Sequence, residues 1–541
     1  MLFNFINYSI EGIKQKGRKI VKRYVGLVVV LLLSMTLVLA GCSSNNETSG
    51  TGEKDSETKF VYGINGDPGN SVNVITTSDR FGLMEVKTIY SPLYMYNGKG
   101  NVKYFLATSM TPSKDLLSYT AKLRKDVKWH DGKPFTADDV VFTYNQMLNE
   151  SAGGWARSQL VFDNKPVKVE KIDKYTVKFT LPKVSIGAEE ALGNIFIMPK
   201  HVYEGEKNIA NSKKNAQPVG TGPYKLSNYK AGESVTFEKN KDYFLGEPKI
   251  DTVVYRIIED ANTANLALQN GDVNALAVSP ADVSKLDASK ISINPYDENR
   301  VGYMAFNLSS KAVQSKDVRQ AIAYALNRKE IIKASYLSNK YAQPAYSFLP
   351  KKATYYTNDV NHYDHNIAKA KELLKKSGVK NLTLKLAYTG VDQFQQKQAA
   401  VMQQNLKAAG ITLKLVGMDG TALSSKLGKV QTDFDMYLNG YIMGFDPDTF
   451  NSLFTTGSSS NYMHYSNPTV DKLFNEGRVE KDSKKRQEIY EKIQQLISDD
   501  AAFYPIVENK RILATDSNLK GIKEAGLVPV YTFEDLSKLS Y

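Results

Sequence analysis

Few backbone paths satisfy residues 129–144, Trp-His-Asp-Gly-Lys-Pro-Phe-Thr-Ala-Asp-Asp-Val-Val-Phe-Thr-Tyr. Leu123 to Trp129 alternates in part and ends in an aromatic residue, as a strand does. Asp131-Gly132 is a turn dipeptide, because glycine takes positive φ without steric penalty. Thr136 suits an N-cap, where its hydroxyl accepts a backbone N–H left over in the first helical turn. Asp138 and Asp139 then lie where negative charge complements the helix dipole. Val140, Val141, Tyr144 and Met147 give an apolar face behind them. The stretch predicts a strand, a turn and a capped helix, and needs no catalytic chemistry.

The same economy of reading applies at Pro218-Val219-Gly220-Thr221-Gly222-Pro223-Tyr224. Two glycines and two prolines fix a tight turn before a strand over Tyr224–Tyr229. A phosphate loop would need Gly-Lys-[Ser/Thr] opening a helix, and here a strand follows. Around these landmarks strands and helices alternate. Strands are expected at Phe60–Ile64, in two parts of Val167–Leu181, at Asp251–Ile258, Ile411–Val416 and Phe434–Leu438. Helices are expected at Glu85–Tyr90, Ala261–Gln269, as a pair over Val318–Ile332, and at Ile367–Ser377, Gln393–Ala409, Pro468–Leu473 and Lys484–Ile497. A mixed α/β protein follows. At 541 residues the chain exceeds one ordinary domain.

Charge and cysteine narrow the function classes. The net charge is +13, but residues 1–41 hold six basic side chains against Glu11, so +8 remains for the rest. Lysine is scattered, without the arginine–aromatic patch of a nucleic-acid binder, and no nucleic acid is expected. The one cysteine, Cys42, excludes an internal disulfide. Basic residues up to Arg23, an apolar run Val25–Ala40 and Leu39-Ala40-Gly41-Cys42 resemble a lipoprotein signal with its lipobox. Cleavage before Cys42 and lipidation there are implied, with residues 42–58 as a flexible tether. There is no H-E-x-x-H, G-x-S-x-G or C-x-x-C. His362-x-x-His365 has a spacing that could touch a metal, or Asp364 caps a helix whose first residue is His365. No enzyme activity, cofactor or metal is expected.

The 129–144 block resembles the W-x-DG-x-P signature of the peptide/nickel solute-binding proteins, family 5 of the extracellular solute-binding proteins of ABC importers. Pro218–Tyr224, Asn240–Lys249, Val318–Ile332 and Ala501–Ile506 resemble further blocks of that family, in its order. The resemblance implies a periplasmic-binding-protein-like two-lobed clamp of the cluster C type with an extra third domain. By that analogy lobe I comprises 59–93, 218–298 and 508–541, the extra domain 94–217, and the second lobe, lobe III, 299–507. It implies a lipid-anchored monomer on the outer face of a bacterial plasma membrane. There it would capture di- or oligopeptides and deliver them to ABC permease and ATPase subunits. A nickel or metal-chelate receptor, or a peptide-pheromone sensor, is the alternative.

The family's ligand loop falls on Asn439–Asp448. By residue chemistry alone Asp446 and Asp448 either cap a helix near Thr449 or hold a ligand ammonium. The resemblance favours the ligand, with Tyr441, Met443, Gly444 and Phe445 beside it. Two departures stand out. Tyr441 replaces the usual tryptophan, and Gly444 stands where many peptide-binding members place the aspartate that grips an amino terminus. Asp446 is then the nearest substitute. Asn70 and Ser71 on the first lobe, and Met304, Phe306 and Asn307 on the second, complete the expected ligand set.

Overall fold

Lys59–Ile64, a run of aromatic and β-branched residues, lies between two parallel neighbours, Thr252–Ile257 and Ala275–Val278. In this computed structural model the described residues are 57–98, 100–162, 164–430 and 433–541. Cys42 and the expected leader lie outside them. Tyr224–Lys230 and Ser234–Lys239 extend the sheet antiparallel on one side. On the other, Ala275–Val278 pairs with Phe503–Asp516, which pairs with Ile291–Phe306. Met436–Ile442, Thr383–Thr389 and Thr412–Met418 follow, the last pairings parallel.

Two long strands, Ile291–Phe306 and Phe503–Asp516, therefore carry the sheet from one half to the other. Their ladder breaks between Asp297 and Val301, where the first strand bulges. Asn299 in that bulge has φ of 53°, a left-handed conformation that asparagine tolerates better than most residues. Hydrophobic packing changes at the same place. One cluster gathers residues from Phe60 to Tyr296 and from Leu513 to Leu539, and two others lie wholly between Val301 and Val507.

Segment 94–217 holds a separate antiparallel sheet, in the spatial order Ala107–Pro112, Ser118–Leu123, Thr176–Thr180 and Lys168–Asp173. Tyr119, Ala121 and Leu123 are buried while Lys122 between them is exposed, the alternation of a sheet wet on one face. The expected strand up to Trp129 ends instead at Leu123; Lys128 makes only an isolated bridge to Pro134. The helix Ala137–Leu148 starts at the expected cap. Thr136 and Asp139 form a reciprocal capping box, with the Thr136 N–H donating to Asp139 Oδ2 at 2.9 Å. Its buried stripe is Val140, Thr143, Tyr144 and Met147, and Val141 is only half-buried because it lies one step round the helix.

Other borders move for local reasons. Asp79 caps Arg80–Ile89, a full turn earlier than the apolar pattern begins. Over Val318–Ile332 the pair is Lys316–Ala325 and Arg328–Tyr336, separated at Asn327, which caps the second helix. The cap near His365 is Asn366 and not Asp364, and the helix is Ile367–Ser377.

Candidate functional site

The two sequence landmarks meet each other. The His130 N–H donates to the Gly220 carbonyl, and the Gly220 N–H donates to His130 Nδ1 at 3.2 Å. His130 Nε2 then donates to the Gly222 carbonyl at 3.1 Å, which fixes one neutral tautomer. Burial, with Lys225 nearby, pushes the imidazole down to about 4. The turn itself rests on the end of Arg80–Ile89. A Cβ on Gly220 would lie 1.8 Å from the Ile89 carbonyl oxygen, so nothing larger fits. These motifs are scaffold.

The loop expected at Asn439–Asp448 begins later, because the strand Met436–Ile442 runs through Gly440 and Tyr441. Gly440 opposes Gly302, and the Arg300 guanidinium lies where a Gly440 side chain would project. Tyr441 is buried, donates its hydroxyl to the Phe348 carbonyl, and packs against Tyr303, Phe450 and Phe503. It belongs to the core and not to a ligand wall. Met443, Gly444 and Phe445 follow as a short irregular stretch. The Asn299 amide from the bulge donates to the Met443 and Gly444 carbonyls at 3.4 and 3.5 Å.

Asp446 takes the capping role. Its side chain accepts the Asp448 N–H and starts the turn Pro447–Phe450. Both oxygens also receive the Arg486 guanidinium, each at 2.8 Å. Asp446 is thus already paired, which departs from its expected duty as a ligand anchor. Asp448 is buried and receives Arg478 Nε at 2.9 Å, and burial raises its carboxyl against the pull of Arg478. Met304 and Phe306 are in a core cluster. Asn307 is buried, with its amide on the Phe434 carbonyl and its oxygen accepting Ser309. Met304 and Phe306, expected at the ligand, lie on a strand packed on both faces, and Asn307, expected there too, follows its end. Asn70 and Ser71 are exposed.

Residues 186–190 of segment 94–217 reach this loop from the other side. The Ile186 N–H donates to the Arg478 carbonyl at 2.9 Å. The Glu190 carboxylate accepts the Phe445 N–H at 3.2 Å and the Asp446 N–H at 3.3 Å. A Cβ on Gly444 would lie 2.4 Å from Glu190 Oε1, so glycine there lets the carboxylate sit against the main chain. Burial pushes the Glu190 carboxyl up to about 7, the Asp446 charge adds to this, and the two N–H groups oppose it. Farther along, the Phe445 ring lies beside Gly100, and Lys352 pairs with Asp297 at 2.7 Å.

On the crossing strands several buried polar atoms have no partner among the described residues: Tyr296 hydroxyl, Asn299 Oδ1, Glu508 Oε1 and Arg511 Nε. Glu298 beside them is held by Arg80 at 2.7 Å. His362 and His365 do not converge. The first stacks on Tyr346 and faces the Asn358 carbonyl; the second faces the Ala325 carbonyl. Among the described residues no group of three or more His, Cys, Asp or Glu side chains could hold a metal ion.

Sequence reasoning missed Glu190, Arg478, Arg486 and Asn299. Arg486 left a trace: with Tyr490, Ile493 and Ile497 it falls on the buried stripe of Ser483–Asp500, where a lone cation needs a partner. Glu190, on the short helix Ala188–Gly193, left none.

The model of the bacterial extracellular solute-binding proteins, family 5, matches residues 101–462, more than half of the chain. The chain belongs to that family. Family 5 proteins are non-catalytic substrate-binding proteins of ABC transporters, found outside the cytoplasmic membrane. The oligopeptide-binding protein AppA of Bacillus subtilis is 29% identical over 536 residues, covering 94% of this chain and 97% of its own. The crystal structure of the ABC transporter substrate-binding protein CtaP from Listeria monocytogenes superposes with a TM-score of 0.85 at 46% identity, covering 89% of this chain and 99% of that one. A structure of Bacillus subtilis AppA with a nonapeptide superposes with a TM-score of 0.78 at 29% identity, covering 89% and 99%. The family 5 fold is the α/β, three-domain, cluster C clamp. Among the described residues no helix is long and apolar enough to cross a membrane.

Proposed function

We propose that this family 5 protein captures short peptides outside the membrane and hands them unchanged to the permease of its ABC importer. The supporting observation is the set of unpartnered buried atoms on the crossing strands. Asn299 Oδ1 and Glu508 Oε1 accept, Arg511 Nε donates, and the Tyr296 hydroxyl does either. Buried polar atoms require partners. A peptide main chain supplies donors and acceptors in alternation and charges of both signs at its ends. Relatives named for oligopeptide binding support the same class.

In this reading lobe I is 59–93, 218–298 and 508–541, the extra domain 94–217, and lobe III 299–507. The division of the hydrophobic clusters near residues 299–301 and 507–513 supports the borders of lobe III. Met443, Gly444 and Phe445, with Asn70 and Ser71, contribute to the ligand wall, while Asp446 and Asp448 hold the loop through Arg486 and Arg478. Lipid on Cys42 keeps the protein monomer at the membrane. Native mass spectrometry of the protein as purified tests the assignment. Release of masses of short peptides is the expected result. Release of a nickel chelate or haem, or failure to take up any member of a tri- to pentapeptide library, would overturn it.

A further inference from the structure

Among the described carboxylates near the loop, Glu190 has no cation to neutralise it. Asp446 has Arg486 on both oxygens, and Asp448 has Arg478. Glu190 has two backbone N–H groups. A carboxylate offers about four lone-pair positions, so it keeps acceptor capacity after these bonds. It is 9% exposed, in surroundings where a single charge interacts strongly.

A second acceptor comes to the same glycine, Gly444, from a different segment. Asn299 is 7% exposed, and its Nδ2 faces the Met443 and Gly444 carbonyls. Its Oδ1 is buried and has no partner among the described residues. Gly444 separates the two groups and supplies no side chain. We infer that the cationic group of the ligand is received at Gly444 by the Glu190 carboxylate, with Asn299 Oδ1 as second acceptor. Asp446 only sets the loop. Given the peptide reading, on which this rests, the cation is the peptide's α-ammonium.

The geometry explains why the carboxylate comes from segment 94–217. The Phe445 and Asp446 N–H groups and Asn299 belong to residues 299–507, whereas Glu190 lies in the segment opposite. An ammonium held by both joins the two sides, which is what a closing ligand must do. Asn299 stands in the bulge of the crossing strand, so the acceptor pair is built at the point where the two halves are joined.

The test uses equimolar synthetic libraries of tri- to pentapeptides with free or N-acetylated termini, and reads bound mass by native mass spectrometry over a concentration series. Wild-type protein is expected to bind the free library at least about thirtyfold more tightly than the acetylated one. Glu190→Gln should lose the same factor for the free library and lose little further for the acetylated one. Gly444→Ala guards against a folding defect at Glu190, since its methyl displaces the carboxylate; it should show the same pattern, with an unchanged thermal melt. Equal binding of both libraries by wild type would overturn the inference and leave the peptide reading standing. So would a free-library preference that survives Glu190→Gln or Gly444→Ala. Wild type that binds neither library would remove the peptide reading itself, and this inference with it.

Discussion

Asp446 and Arg486 form a two-point ion pair whose guanidinium is nearly excluded from solvent, with side-chain exposures of 16% and 4%. Removing one charge leaves the other buried, which typically costs about 3–5 kcal/mol; partial exposure of Asp446 brings the expectation to about 2–3 kcal/mol. Asp446→Asn should therefore lower the urea midpoint, and adding Arg486→Met should recover part of the loss. An unchanged midpoint would contradict this supporting role. His130 gives a second test. Its imidazole sits at about 4, below the ordinary histidine value of about 6.5, because burial favours the neutral form. The unfolded chain then binds the proton first as pH falls. Stability from this group is complete above about 6.5 and is lost as pH falls toward 4. A ring NMR titration should have its midpoint near 4, and a midpoint of 6 or above would contradict the account. At this scale the sequence marked Thr136 as a cap from local chemistry, and the loop Asn439–Asp448 through the family resemblance. It took Asp446 for a ligand anchor and did not foresee the pairing with Arg486, which is 40 residues away.

The turn Pro218–Tyr224 and the helix Arg80–Ile89 fit by contact of backbone on backbone. The Gly222 N–H donates to the Ile89 carbonyl at 2.7 Å, and Gly220 has no room for a methyl. Gly220→Ala should cost about 3 kcal/mol or prevent folding, because overpacking here meets main chain that cannot rotate aside. A circular-dichroism melt within a degree or two of wild type would contradict that packing. Long periodic elements were legible at this scale. Ile367–Ser377 has its expected bounds, and Gln393–Ala408 and Ala261–Asn270 lie within a residue of theirs. Strand ends were not: Gly440–Ile442 are placed by pairing with the distant Arg300–Gly302, and Trp129 lies in a local turn closed on Lys133. The burial of Met304 and Phe306 in a core cluster was not legible for a related reason. A strand covered on both faces has no period to show which side meets a cleft.

At the scale of the whole molecule, the fold follows from two strands that pass between halves and one bulge that interrupts them. The order of family blocks made this architecture legible. The approach of segment 94–217 to the loop through Glu190 depends on a contact between residues more than 250 positions apart, beyond any local pattern. The account holds that a peptide bound between the lobes favours the state in which segment 94–217 touches the 443–448 loop. Small-angle scattering of the ligand-free protein, then of the same sample saturated with the tri- to pentapeptide library, measures that directly. A smaller radius of gyration with peptide mass co-eluting is the predicted result. Identical scattering curves, with peptide demonstrably bound, would contradict the clamp.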